Sequence, residues 1–327
     1  MTIDWQRFGR IVQTHERFLL TSHVRPDCDA LGSELGLALG LESLGKQVRI
    51  VNNQPTPPNI AFIDPDQRIE AFGVDVAAAD LADRDCLIIL DTSAWIQLDS
   101  MEPFIRASPA TRLVIDHHVS EDQLDAELFK DVTSESTGRL IVEALTALDV
   151  PLTAAMAAPL FAAMATDSGW FRFPACSAET YRAAAQLIDA GAVPQDIFTS
   201  LYERESLARV QLRGRILART ELHCDGRLAA TVALREDFEE TGALSADTED
   251  AVNFTLRIAG VQAAVIFSEH EPGRCKLSFR SRPPIDVSKV AAQFGGGGHQ
   301  QAAGASLEGG FQQWRDKVLD AMRTAMG

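Results

Sequence analysis

Paired thiols are missing from this sequence. Its five cysteines, Cys28, Cys86, Cys176, Cys224 and Cys275, are scattered and odd in number, with no CxxC among them. That argues against a disulfide framework or a structural zinc site and predicts a reduced, cytoplasmic setting. Long apolar runs are missing too. "AAMAAPLFAAMA", Ala154 to Ala165, is only 12 residues, short of the roughly 18 of a membrane span, and reads as a buried helix. The start, "MTIDWQRFGR", lacks the charged and apolar regions of a signal peptide, so no membrane partner is expected. Basic charge is scarce: 30 Lys and Arg stand against 46 Asp and Glu, a net charge of −16. Long duplex DNA is bound chiefly by a basic face that neutralises phosphates, so it is not an expected partner. A small phosphorylated ligand stays open, because a few arginines and divalent ions can make a favourable local site.

The 327 residues have room for two domains, each with its own core. From residue 17 to about 135, β-rich runs alternate with helical patterns: "RFLLTSH", "KQVRIVNN", "CLIILD", "TRLVID" and "ELFKDV". This alternation predicts an α/β fold with a parallel sheet flanked by crossover helices. Helical patterns follow up to about His223, as in a connector. Then "RLAATVALR", "QAAVIFSEH" and "RCKLSFRSR" read as strands of a smaller α/β C-terminal domain that ends in "FGGGGHQQAAGA" and a helix from about Phe311. The expected division is residues 1–185, a helical connector 186–220, and 221–327.

Ligands in open α/β sheets gather beyond the carboxyl ends of the strands. Three of the predicted strands end there in a candidate ligand: His23 in "LLTSH", Asp91 in "LIILD", and Asp116 in "LVID", with His117 and His118 following at once. "HVRPDCDALGS" adds Asp27 and Asp29, and "ATDSGWFRF" adds Asp167. Each has an ordinary explanation alone: Asp29 as a helix N-cap, Asp91 and Asp167 as turn residues, any single histidine as a satisfied, partly buried side chain. Together these explanations fail, because carboxylates gathered at one sheet edge repel unless cations neutralise them. Carboxylate and imidazole ligands without thiolate pairs favour an octahedral divalent ion, manganese or else magnesium. Six candidates exceed what one catalytic ion needs, whereas two ions can share a carboxylate and activate a water against phosphorus.

These segments resemble the DHH phosphoesterases, of the RecJ-like branch that includes oligoribonucleases acting on very short RNA and phosphatases of 3′-phosphoadenosine 5′-phosphate. "HVRPDCDALGS", "LDTS", "DHH" at Asp116 to His118, and "TDSGWFRF" look like that family's four motifs, in order. "SFRS" and "GGGGHQQAAGA" look like the signature of its DHH-associated C-terminal domain. The resemblance implies two manganese ions, with His23 and Asp27 on one, Asp29, His117 and Asp167 on the other, and Asp91 bridging. It also implies that His118 contacts the scissile phosphate and that Asp116 orients a neighbouring ligand. Arg280, Ser281, Gly297, Gly298 and His299 would hold the far end of the substrate in a cleft between the domains, Arg280 through its planar fork. Arg282 is a weaker second candidate. Taken alone, the glycine run is a flexible loop and Arg280 an exposed strand residue.

Cys28 departs from the family pattern, which has glycine there: it reads as a small buried residue, or as a thiol that makes the site sensitive to oxidation or soft metals. The expected partners are short RNA or small phosphorylated nucleotides, with a homodimer left open. The competing readings are a phosphodiesterase for linear or cyclic dinucleotides, a pyrophosphatase, and a catalytically silent nucleotide-binding regulator. The "GGGGH" loop disfavours the pyrophosphatase and the intact ligand set disfavours the regulator.

Overall fold

The computed structural model describes residues 3–119, 122–248 and 250–327. The chain divides into two compact units, residues 1–204 and 205–327. The first contains α1 (Trp5–Thr14), β1 (Arg17–Thr21), α2 (Cys28–Ser43), β2 (Gln47–Asn52), β3 (Ile69–Ala71), β4 (Cys86–Leu90), α3 (Glu102–Ala107), β5 (Thr111–Asp116) and β6 (Glu127–Lys130), followed by α4 (Thr137–Ala147), α5 (Ala154–Asp167), α6 (Ala178–Asp189) and α7 (Pro194–Tyr202). Its strands form one parallel sheet in the order β3-β2-β1-β4-β5-β6. The five strands expected from the sequence are present. β3, three residues long, was too short to leave a periodic signal.

The strands are apolar throughout because both faces are covered, as parallel sheets require. Phe18, Leu20, Ile88, Leu90 and Ile115 point into one core with α2, α4 and α5, while Leu19, Val51, Leu87, Ile89 and Val114 point into a second core with Ile105 of α3. Strand order reverses between β1 and β4, since β2 and β3 lie to one side of β1 and β4 to β6 to the other. The crevice at such a reversal is where open α/β sheets bind ligands. α2, which starts there, packs unusually close to α5: a Cβ on Gly32 would lie 2.3 Å from the Pro159 carbonyl oxygen, and one on Gly36 2.5 Å from Leu160 Cγ. The helices therefore approach closely, fixing the first half of α2 against the middle of α5.

The second unit contains α8 (Leu207–Ala218), β7 (Glu221–His223), β8 (Leu228–Ala233), α9 (Arg235–Thr241), α10 (Ala251–Thr255), β9 (Ala263–Ser268), β10 (Arg274–Ser281), α11 (Val287–Ala292), β11 (Gly297–His299), β12 (Ala302–Glu308) and α12 (Phe311–Met326). Its mixed sheet runs β11-β12-β10-β9-β8-β7, with only β8 and β9 parallel. The stretch expected as a connector is shared between the units. Ile197 of α7 enters the first core, whereas Leu212 and Ile216 of α8 are buried in the second unit with Ala229 and Ile266. No helix among the described residues is long and apolar enough to cross a membrane; residues 154–165 lie in the buried α5.

Candidate metal centre

The three strand ends deliver their side chains to one place. His23 follows β1, and its Nε2 lies 3.3 Å from Asp91 Oδ2. Asp91 follows β4 with φ at +61°, a left-handed conformation that costs an aspartate energy and is retained where the surroundings impose it. Its backbone N–H still donates to the Ile115 carbonyl, 3.0 Å away on β5, so the sheet ladder carries on past the last strand residue and fixes the carboxylate. His117 lies just beyond β5, and its Nε2 sits 3.4 Å from Asp167 Oδ2, 3.5 Å from Asp91 Oδ1 and 3.7 Å from Asp29 Oδ2.

Helix ends supply the rest. Asp27, not Asp29, is the N-cap of α2, its Oδ1 accepting from the backbone N–H groups of Asp29 at 2.9 Å and Ala30 at 3.1 Å. This corrects the capping role open to Asp29, which stands inside the first turn. Its carboxylate instead reaches α4, accepting from the backbone N–H of Thr137 at 2.7 Å and of Gly138 at 2.8 Å, donors that a helix N-terminus leaves free. Asp167 ends α5.

The resulting donors fall into overlapping triads, each with ligand atoms within 4.8 Å of one another: His23, Asp27 and Asp91; Asp29, His117 and Asp167; and Asp91, His117 and His118. Electrostatics explains why such a set needs cations. Burial and the charges of Asp91, Asp167 and Asp27 hold the Asp29 carboxyl well above its usual range, and burial pushes Asp167 up to about 6. Burial opposes the charge on His23, but its hydrogen bond to Asp91 prevails and raises it to about 9. His117 Nε2 is buried with no hydrogen-bond partner among the described residues, although its Nδ1 lies 3.2 Å from the Ser134 carbonyl oxygen. An orphaned imidazole nitrogen among three carboxylates, fixed by its other nitrogen, is the geometry of a metal ligand. The residues present fit two divalent ions.

Asp116 and His118 form a separate arrangement at the edge of the cluster. Asp116 is fully buried, yet its carboxyl is held well below the usual range because hydrogen bonds from His118 and Ser93 outweigh its burial. Its Oδ1 lies 2.8 Å from His118 Nδ1, and its Oδ2 accepts from Ser93 Oγ at 2.6 Å and pairs with Lys130 Nζ at 3.1 Å. His118 is raised in turn, mainly by that bond to Asp116.

The sequence reading passed over these supports. Thr137 also donates its hydroxyl to Asp91 Oδ1 at 2.9 Å, and Ser93 and Lys130 brace Asp116. The one available signal was "SESTG", a capping serine before a helix, which gives no hint that the helix start grips Asp29. Asn52 and the buried Glu34 lie behind Ser22: Asn52 Oδ1 accepts from the Ser22 backbone N–H at 2.9 Å, and its Nδ2 donates to Glu34 Oε2 at 2.7 Å. Cys28 turns into the core, where burial and its acidic neighbours push the thiol up to about 12, so it offers no ready thiolate.

In the second unit, the "GGGGH" stretch is an edge hairpin rather than a free loop. β11 pairs with β12, and a Cβ on Gly298, whose φ is +141°, would lie 2.5 Å from the Ala302 carbonyl oxygen. Gly297 has open space around it, and His299 is exposed. Arg280 stands half-buried on β10, whereas the next residue, Ser281, is buried on the opposite face and donates its hydroxyl to the Ile285 carbonyl at 2.7 Å. Arg282 donates to the Leu256 carbonyl at 2.9 Å.

Comparison with known proteins agrees with both units. The model of the DHH family, N-terminal domain, matches residues 17–164, and that of the DHHA1 domain matches residues 228–327. A bifunctional oligoribonuclease and PAP phosphatase, NrnA, of Thermus thermophilus is 29% identical over 310 residues, covering 93% of this chain and 88% of its own. The crystal structure of an exopolyphosphatase-related protein from Bacteroides fragilis superposes with a TM-score of 0.87 at 25% identity, covering 98% of this chain and 95% of that one. That of the exonuclease RecJ bound to manganese gives 0.57 at 11% identity, covering 100% and 95%, a likeness of fold. With the Asp-His-His triplet at the end of β5 inside the first matched span and both domain models matched in order, the chain carries a DHH-family N-terminal domain followed by a DHHA1 domain.

Proposed function

We propose that this protein is a divalent-metal-dependent phosphoesterase that hydrolyses very short oligoribonucleotides and 3′-phosphoadenosine 5′-phosphate to mononucleotides. The observation that carries the reading is the chain of overlapping triads, in which Asp91 stands with His23 and Asp27 on one side and 3.5 Å from the orphaned Nε2 of His117 on the other. His23, Asp27 and Asp91 would hold one ion, and Asp29, His117 and Asp167 the other, with Asp91 shared; manganese suits this oxygen and imidazole set. The ions, when bound, would lower the pKa of a water and offset charge on the phosphoryl group.

The chain's own side chains do the positioning. Asp116 occupies His118 Nδ1, which leaves Nε2 as the atom that donates to a phosphoryl oxygen, and Lys130 and Ser93 keep Asp116 from turning. Arg280, with Gly297, Gly298 and His299 of the hairpin, holds the nucleotide, while Ser281 shapes the turn behind Arg280. The Thermus relative carries both the oligoribonuclease and the PAP phosphatase activity in its name, which supports these substrates.

The test is a substrate panel with manganese: 3′-phosphoadenosine 5′-phosphate, RNA of two to twenty nucleotides, cyclic dinucleotides and pyrophosphate. The short RNAs and the bisphosphate should turn over fastest, with activity lost in chelator. Preference for cyclic dinucleotides or pyrophosphate would replace the assignment.

A further inference from the structure

β10 alternates along its whole length. Cys275, Leu277, Phe279 and Ser281 are buried on one face, while Arg274, Lys276, Ser278 and Arg280 stand on the other. Side chains on one face of a strand recur about every 6.8 Å, so these four form a row roughly 20 Å long. Arg280 is only its last member.

The register builds a polar rung around Lys276. Its partner on β9 is Ser268 and its partner on β12 is Ser306. On the next rung Ser278 lies between Ile266 and Gly304, and the missing side chain of Gly304 keeps the face low. A cavity of about 470 Å³ lies over these rungs, lined by Ser245, Ser268, His270, Lys276, Ser278 and Ser306 among others. Arg274 and Glu271 also line it and pair with each other at 3.2 Å, so their charges largely offset one another. Lys276 has no carboxylate partner among the described residues. An ammonium flanked by two hydroxyls, all hydrogen-bond donors, is chemistry for an anionic oxygen ligand.

We propose that the cavity over Lys276, Ser268 and Ser306 is a second phosphate subsite, so that β10 grips a ribonucleotide chain at two points rather than one nucleotide at one. Lys276 lies four residues from Arg280, about 13 Å along the strand, a separation suited to phosphates of different nucleotides in one single strand. This rests on the nucleotide-holding part assigned to Arg280. It also fits the net charge of −16: two local contacts can hold a few phosphates, while each further phosphate meets an unfavourable field.

The test is binding, measured on the full chain with manganese present, using a labelled pentaribonucleotide with non-hydrolysable methylenephosphonate linkages and an equally non-hydrolysable analogue of 3′-phosphoadenosine 5′-phosphate. Lys276→Ala should weaken the pentanucleotide about tenfold or more and reduce the slope of log affinity against log salt by about 0.7. Lys276→Arg should restore binding, Ser306→Ala should give a smaller loss, and the bisphosphate should bind as before. Unchanged pentanucleotide affinity in Lys276→Ala, equal loss for the bisphosphate, or no pentanucleotide binding by the wild type would overturn the subsite. Binding that behaves as expected in a protein without manganese-dependent turnover would instead overturn the proposed activity and leave the subsite standing.

Discussion

The two units collect charge in opposite ways. In the first, Asp29, Asp91 and Asp116 are almost wholly buried and face other ionisable groups at 2.8 to 3.7 Å. In the second, Arg274, Lys276 and Arg280 stand in a row on an accessible strand face with spaces between them. Buried like charges are tolerable only with a counter-charge, which suits the first region to holding ions. Cations along an accessible strand face gain from a polyanion that arrives, which suits the second region to recognition. Chemistry and recognition should therefore fail separately.

The largest expected effect breaks the first region. Asp91→Ala removes a carboxylate that belongs to the His23–Asp27 triad and also lies 3.5 Å from His117 of the other proposed ion site, so both ions should be weakened and turnover should fall by at least about 10³-fold. Metal analysis alongside kinetics checks this, and full retention of two metals would refute the shared carboxylate. His118→Ala should keep the metals while lowering kcat by on the order of 10²-fold, since the contact it makes strengthens as charge builds on the phosphate. A variant with normal kcat and raised KM would assign His118 to binding alone.

The second region should answer differently. Arg280→Ala should leave metal content intact and reduce kcat/KM about ten- to a hundredfold, the value of a lost charge-assisted contact of roughly 1.5–3 kcal/mol. Loss of metal from this variant would remove the separation between the units.

The same contrast explains what the sequence disclosed. The first site was legible because strand ends convert sequence order into spatial proximity: once "LLTSH", "LIILD" and "LVID" read as parallel strands, His23, Asp91 and His117 had to meet. Asp27 and Asp29 came with them because they open the following helix. What stayed hidden depends on angles between elements. Nothing in "SESTG" says that the start of α4 points its N–H groups at Asp29, and nothing in "ELFK" says that Lys130 reaches Asp116. In the second unit the glycine run read as a loop because its pairing with β12 is set by backbone approach at Gly296 and Gly298, which leaves no periodic side-chain pattern. The row on β10 was present in "RCKLSFRS" as strict alternation, but its meaning needed Ser268 and Ser306, 8 and 30 residues away.

The last predicted effect concerns stability and sharpens the comparison without any substitution. In the metal-free chain the Asp167 carboxyl keeps its proton up to about pH 6, whereas unfolded it would lose it near pH 4. Between those values the folded state binds more protons than the unfolded one, so this group's contribution makes the metal-free protein less stable as pH rises. Asp29 is shifted in the same direction. Protons and divalent ions compete for these oxygens, so stabilisation by manganese should be small at pH 5 and grow towards pH 7.5. A free ion concentration a hundredfold above Kd contributes about 2.7 kcal/mol, or roughly 5–10 °C in Tm for a unit of this size. Hydrogen exchange with mass spectrometry would locate the gain: protection should rise in peptides containing His23–Asp29, Ile115–His118 and Thr137–Gly138 and stay flat across β10 and β12. A gain independent of pH, or spread equally over both units, would mean that the ions do not bind at the carboxylate cluster of the first unit.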